Sequence, residues 1–245
     1  MNKIVICGAT SAIAVEVARE YASRGATLYL VARDGERLST LASDLKARGA
    51  SGVHTEVLDL ALNEHHQALL ARIKDILGAI DALLIAYGVL PDQQRCEEDV
   101  EATMQLLQVN TLSVISLLTL FGNEFAKQER GTIAVISSVA ADRGRKSNYV
   151  YCTSKAALDV FLQGLRNRLF SNGVHVLTIK PGFVDTPMTA HLKKGLLFAE
   201  AAEVGRGIVK AIDRKKDVVY LPWFWIIIMA IVRNIPERLF KRMSI

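Results

Sequence analysis

Tyr151 and Lys155 stand four residues apart in Tyr-Cys-Thr-Ser-Lys, and Ser138 lies thirteen residues before Tyr151. On a helix, positions i and i+4 share one face, so a phenol and an ammonium can point into one cleft. A serine at the end of a preceding strand would bring a hydroxyl to the same place. That trio suits reversible proton transfer to a carbonyl oxygen. In a chain with six tyrosines the Tyr-x-x-x-Lys pair alone is a weak signal. Its meaning depends on the elements that position it.

Those elements alternate in kind. Short apolar runs at 3–7, 27–32, 52–58, 82–86, 131–137, 174–180 and 218–221 read as strands, with longer helical patterns between them. This is the pattern of βαβ units on a parallel sheet. Several runs are almost continuously apolar, as strands are when helices cover both sheet faces. Ile13, Val17 and Tyr21 form one stripe of a helix over 13–23, and Gly25 follows as its stop. No linker, repeat or low-complexity tract divides the chain, so its 245 residues predict a single α/β, Rossmann-type doubly wound domain over 1–221. Residues 222–245 are left as a helical tail.

The first crossover predicts a phosphate site. The strand 3–7 runs into Gly8-Ala9-Thr10-Ser11-Ala12-Ile13-Ala14 and then a helix, presenting backbone N–H groups at a helix N-terminus. A tight turn without a ligand would use the same residues. Alanine at 12 and 14 permits close approach but not a positive φ without strain. The second strand ends Val31-Ala32-Arg33-Asp34, beside the expected adenosine ribose. Ala32 cannot bond a free 2′-hydroxyl, whereas Arg33 can bond a 2′-phosphate, so the expected cofactor is NADP(H). Asp59 and Leu60 follow the third strand, placed for the adenine ring. Ala86-Tyr87-Gly88 ends the fourth, close to the cofactor's path.

Together these residues resemble the classical short-chain dehydrogenase/reductase family. The Gly8 turn, Asp59, Asn110 in Val-Asn-Thr, Ser138, Tyr151, Lys155 and Pro181-Gly182-Phe183-Val184-Asp185-Thr186 occur in that family's order and spacing, from residue 1 to about 189. Two departures stand out: Ala12 and Ala14 replace glycines, and Ala86-Tyr87-Gly88 replaces Asn-Ala-Gly. The resemblance implies that Tyr151 protonates a carbonyl oxygen while reduced nicotinamide delivers hydride. It implies that Lys155 favours the phenolate and holds the nicotinamide ribose, that Ser138 donates to the substrate oxygen, and that Asn110 positions a water. Val184 and Thr186 would fix the carboxamide. The family also implies a homo-oligomer, paired through the helices around Asn110 and Tyr151. A narrower likeness, in residues 148–151, 156–161, 188–193 and Ile235-Pro236, points to reductases of a decaprenylphosphoryl 2-keto-β-D-erythro-pentose. The expected substrate is then a ketone on a lipid-linked sugar. A hydrophobic ketone such as a steroid or acyl chain is the alternative enzyme reading, and a non-catalytic cofactor-binding scaffold is the other.

Charge and the tail extend the reading. The chain carries a net +5, while residues 206–245 hold nine Lys/Arg against three Asp/Glu, so that segment is +6 and the rest −1. Residues 223–232 are apolar on every side and then basic residues alternate with Leu239, Phe240 and Met243. Ten residues make about 15 Å of helix, half of what spans a bilayer. The tail is therefore expected to lie in a membrane interface, or else to form a subunit contact or a cover for the substrate pocket. Its interleaved apolar groups do not suit nucleic acid. Cys7, Cys96 and Cys152 have no paired spacing and no leader pattern opens the chain, so a cytoplasmic site at the inner membrane face is expected.

Overall fold

The structure, a computed structural model, describes residues 2–190 and 192–243. His191, within one of the narrower likeness segments, lies outside the described residues. In chain order the elements are β1 (Lys3–Cys7), α1 (Ala12–Ser23), β2 (Thr27–Ala32), α2 (Gly35–Ala47), β3 (Gly52–Val57) and α3 (His66–Leu77). Then come β4 (Ala82–Ile85), α4 (Gln93–Glu98), α5 (Val100–Leu107), α6 (Ser113–Gln128), β5 (Thr132–Ile136) and α7 (Tyr149–Phe170). The chain continues with β6 (His175–Pro181), β7 (Phe183–Asp185), β8 (Phe198–Glu200), α8 (Ala201–Asp213), β9 (Val218–Leu221), α9 (Trp225–Asn234) and α10 (Glu237–Phe240).

The seven expected strands form one sheet in the order β3-β2-β1-β4-β5-β6-β9, every neighbouring pair parallel. Alternate residues along each strand serve two cores. Ile4, Ile6, Leu28, Leu30 and Leu84 pack toward α1, α2 and α8, while Val5, Tyr29, Val31, Leu83 and Ile85 pack toward α3, α6 and α7. Both faces being covered is why the runs are continuous rather than alternating. The order reverses between β1 and β4, which opens a crevice at their C-terminal ends. A separate pair, β7 with β8, is added beyond β6; each strand is only three residues long and carries no periodic signal.

The helix over Val100–Gln128 is long and apolar enough to cross a membrane by length and composition. Its Leu117, Leu118, Phe121 and Phe125 are buried against the sheet, as in a crossover helix of an α/β core.

The tail folds back on the domain. Trp225 and Met229 of α9 are buried beside Val139, with Phe183, Tyr220 and Ile228 packed around them. One face of this all-round apolar segment is thus covered by the domain itself. Arg143 fastens it. Its guanidinium donates to the Val232 carbonyl at 2.7 Å and the Ile235 carbonyl at 2.6 Å, pairs with Glu237, and lies 3.6 Å from the Phe240 ring centre. A cation at these carbonyls answers the unsatisfied acceptors that end every helix.

Candidate active site

The turn after β1 depends on Gly8. Its φ is +83°, and a Cβ there would lie 2.7 Å from both the Cβ and the amide nitrogen of Tyr87. Glycine thus lets the end of β4 pass against the turn. Ser11 caps α1, its hydroxyl accepting from the Ala14 N–H at 3.3 Å. Ala12 and Ala14 sit within α1, and positive φ is confined here to Gly8, so alanine at those positions carries no backbone strain. The side chain of Ile13 packs on the core, leaving its N–H to the helix N-terminus. Free N–H groups there favour an anion.

From this turn a cleft of about 220 Å³ runs past Thr10, Arg33, Asp59 and Leu60 to Ala86 and Gly88. Arg33 and Asp59 approach to 3.9 Å with both side chains well exposed, a pairing that contributes little and leaves the guanidinium free to turn. Asp59 also accepts from the Ala61 N–H at 3.0 Å, fixing its loop. Arg37 was not singled out from the sequence, yet it lines the same cleft and donates to the Thr10 carbonyl at 2.8 Å. The signal was present: Asp34 caps α2 by accepting from the Arg37 N–H, which sets Arg37 in the first turn beside Arg33. Met188 also lines the cleft. Tyr87 contributes backbone more than side chain, since its hydroxyl turns inward to Ser113 at 2.9 Å and burial raises its pKa.

Next to Gly88, at the edge of this cleft, stands Lys155 of α7: a Cβ on Gly88 would lie 3.6 Å from its nitrogen. Ser138 begins a 3₁₀ turn over Val139–Asp142, and its hydroxyl oxygen accepts from the Ala140 N–H at 3.0 Å. That contact leaves its own proton to donate. Burial pushes the Tyr151 phenol up to about 12, against the opposing hydrogen bond to Ser138 and the charge of Arg145. The phenol is therefore protonated at neutral pH. The Lys155 ammonium lies 5.8 Å from the Tyr151 ring centre and donates to the Ile136 carbonyl at 3.1 Å. Burial pulls it down to about 8, with Asp159 acting the other way.

Asn110 is held by its side chain. It sits in a π turn, Gln108–Leu112, that joins α5 to α6. Its amide donates to the Val89 carbonyl at 2.8 Å, and its side-chain oxygen accepts from the Val89 N–H at 2.8 Å. A weaker donation reaches the Ser154 hydroxyl at 3.4 Å. The side chain is thus a clamp on the strand-end backbone. The π turn replaces the i→i+4 ladder locally.

Beneath Lys155 lies an ion network that sequence reasoning missed. Lys180 bridges Asp142 at 2.5 Å and Asp159 at 2.6 Å, Ser137 donates to Asp159 at 2.5 Å, and Tyr220 donates to Asp142 at 2.8 Å. Asp159 continues the i, i+4 series from Tyr151 and Lys155, and Lys180 interrupts an apolar strand. Both were visible signals.

The segment after β6 is also closely packed. A Cβ on Gly182 would lie 1.9 Å from the Trp225 indole nitrogen, so glycine is needed where the tail crosses the end of β6 at Pro181. Val184 is buried, and its carbonyl accepts from the Thr189 hydroxyl at 2.5 Å. The Thr186 N–H also donates to Thr189, at 3.3 Å. Thr189 thus ties the Val184 carbonyl to the Thr186 N–H and shapes the loop in which both stand.

A family model described as short chain dehydrogenase matches residues 2–196. An uncharacterized oxidoreductase of Mycobacterium tuberculosis H37Rv is 35% identical over 240 residues, covering 98% of this chain and 96% of the relative. An uncharacterized oxidoreductase of Streptomyces coelicolor is 33% identical over 245 residues, covering 100% and 96%. Among solved structures, a short-chain type dehydrogenase/reductase from Mycobacterium ulcerans superposes with a TM-score of 0.80 at 20% identity, covering 90% of this chain and 88% of that one; that likeness concerns the fold.

The Asn110 clamp makes a thermodynamic prediction. Asn110→Ala removes two hydrogen bonds to the Val89 backbone, which is exposed enough for water to reach it, at about 0.5–1.5 kcal/mol for each. Chemical denaturation should show a loss of about 1–3 kcal/mol, and a change under about 0.5 kcal/mol would remove the clamp.

Proposed function

The chain belongs to the short-chain dehydrogenase family, and from that premise we propose that it is an NADPH-dependent carbonyl reductase. The observation that carries the reading is geometric: Tyr151, Ser138 and Lys155 are brought together next to Gly88 of the cleft, where a Cβ on Gly88 would lie 3.6 Å from the Lys155 nitrogen. The residues fit a dinucleotide: a turn that a Cβ would fill, free N–H groups of a helix N-terminus, and two arginines at the second strand's end. Reduced nicotinamide, when bound, supplies the hydride.

Tyr151 gives its proton to the carbonyl oxygen, and Ser138 donates a second hydrogen bond that strengthens as charge develops there. Lys155 holds the ribose hydroxyls and, by its charge, eases the phenol toward phenolate. The Asn110 carbonyl holds a water through which the proton is replaced. Arg33 and Arg37 together bind the 2′-phosphate, as guanidinium forks suit phosphate oxygens. Gly88 lies at the junction: a Cβ on it would be 3.1 Å from the Asn110 side-chain oxygen and 3.6 Å from the Lys155 nitrogen.

The substrate reading is a bulky ketone carried on an apolar group, with a keto-sugar linked to polyprenyl phosphate as its narrowest form. Its support is the sequence likeness, together with the apolar wall of Val139, Phe183 and Met229 beside the Ser138 turn. That same wall favours a steroid or acyl ketone as the second reading. A scaffold without chemistry is disfavoured by the complete set of Asn110, Ser138, Tyr151 and Lys155. Met104, Leu112, Val160 and Phe170 are exposed on α5, α7 and the π turn between α5 and α6, which supports pairing of two copies there. Three buried free cysteines support a cytoplasmic location.

Three measurements test this reading. Tyr151→Phe should keep the NADPH Kd within about twofold while turnover falls by at least about 10²-fold; retained kcat would end the assignment. Arg33→Ala and Arg37→Ala should each reduce the preference for NADPH over NADH by roughly tenfold or more, the size of one charged hydrogen bond. An unchanged ratio in both would remove the phosphate role. Lys155 is charged below about 8 and neutral above it. The kcat/KM for NADPH reports the free enzyme, so it should fall as pH rises through about 8; a flat profile from pH 6 to 10 would contradict this.

A further inference from the structure

A second concave surface lies outside the cleft, between α8 and the edge strand β9. Arg206, Lys210 and Arg214 line it at i, i+4 spacing along α8, with Lys216 on the following turn. Its floor is apolar, formed by Val204, Leu221 and Pro222. Among the described residues these four cations have no carboxylate within ion-pair distance. The nearby acids are engaged elsewhere: Asp213 by Arg24 at 2.8 Å and Asp217 by Arg166 at 3.6 Å. Only Glu203 adds an acid to the rim.

Trp223 borders this groove and begins a second feature. It is 70% exposed, and Ile226, Ile227 and Ile231 of α9 are 53%, 53% and 63% exposed. These residues occupy the face of α9 opposite buried Trp225 and Met229. Beyond them Arg233, Arg238, Lys241 and Arg242 are all exposed. The surface thus combines unpaired cations with aliphatic groups and an aromatic at the boundary.

We propose that the α8–β9 groove and the outer face of α9 form one docking surface for an anionic phospholipid bilayer. Cations at the groove would meet headgroup phosphates while the Trp223–Ile231 stripe enters the acyl boundary. A second copy fits less well, because an isologous contact brings the same patch to itself and would set four cations against four. The groove runs along β9, and its Trp223 end lies at the C-terminal end of the sheet. There β9 leads into Pro222, and α9 packs on Val139 next to Ser138, so docking would bring the site close to membrane-dissolved ketones. The proposal does not depend on the reductase reading, since docking needs no turnover.

The test is flotation of the full chain with vesicles of 30% phosphatidylglycerol in phosphatidylcholine, beside vesicles of phosphatidylcholine alone. Binding is expected to the anionic vesicles only, lost in 0.5 M NaCl as charges are screened. Lys210→Glu with Arg214→Glu, and separately Trp223→Ser with Ile227→Ser, should each lower the bound fraction at least tenfold while keeping the melting temperature. The charge pair is exposed, so it remains informative if the apolar pair misfolds. Recovery of the unmodified chain in the dense fraction with anionic vesicles would overturn the proposal. So would equal binding to both vesicle types that neither double variant weakens, or a dimer that Trp223→Ser dissociates in a chain that does not float.

Discussion

The buried ammonium of Lys155 is the demand that the middle of the domain is arranged to meet. An isolated charge in such a place would lose its proton or force the site open. Here four ionic groups sum to zero: Lys155 and Lys180 against Asp142 and Asp159. They come from three pieces of chain, with α7 supplying Lys155 and Asp159, β6 supplying Lys180, and the Ser138 turn supplying Asp142. Removing one member of such a network typically costs about 3–5 kcal/mol. That is why the arrangement fixes geometry as well as charge. The turn that presents Ser138 is anchored at its far end by Asp142, which also accepts from Tyr220 on β9.

The second anchor is the π turn at Asn110. A helix that ran straight from Val100 to Gln128 would carry Asn110 past the end of β4 in a different register. The inserted residue lets the amide meet both polar groups of Val89, while the Thr111 hydroxyl donates to the Ser154 carbonyl at 3.1 Å. The strand end, the crossover helix and α7 are thereby joined one residue from Lys155. Gly88 sits inside this junction, which explains the absence of a side chain there better than turn chemistry does.

What the sequence revealed follows from which signals are local. Strand positions 27–32 and 218–221 coincide with the observed strands because burial on both faces writes itself as an apolar run. Gly8, Ser138, Tyr151 and Lys155 were readable because their chemistry is tied to short spacing. Arg37, Asp159 and Lys180 carried legible signals that went unused: a capped helix start, one more i+4 step, and a charge in an apolar strand. The role of Asn110 was not legible, since its partners Val89 and Ser154 are 21 and 44 residues away. The three-residue strands β7 and β8 are too short for any period to register. Thr189, which engages Val184 and Thr186, was hidden for the related reason that its role is purely one of packing geometry.

The tail shows how one segment can satisfy two environments. Its apolar residues run all round, but the domain covers only Trp225 and Met229 fully, with Ile228 and Val232 partly so. Arg143 holds that side by charged hydrogen bonds to helix-end carbonyls, which ask nothing of the opposite face. Ile226, Ile227 and Ile231 stay outside the buried cluster and keep more than half of their surface in solvent. Their exposure costs hydration free energy of roughly 25 cal/mol per Å² in water and none against an apolar partner. A contiguous patch of this kind marks an interaction surface. A ten-residue helix is too short to carry that patch across a bilayer but long enough to lay it along one.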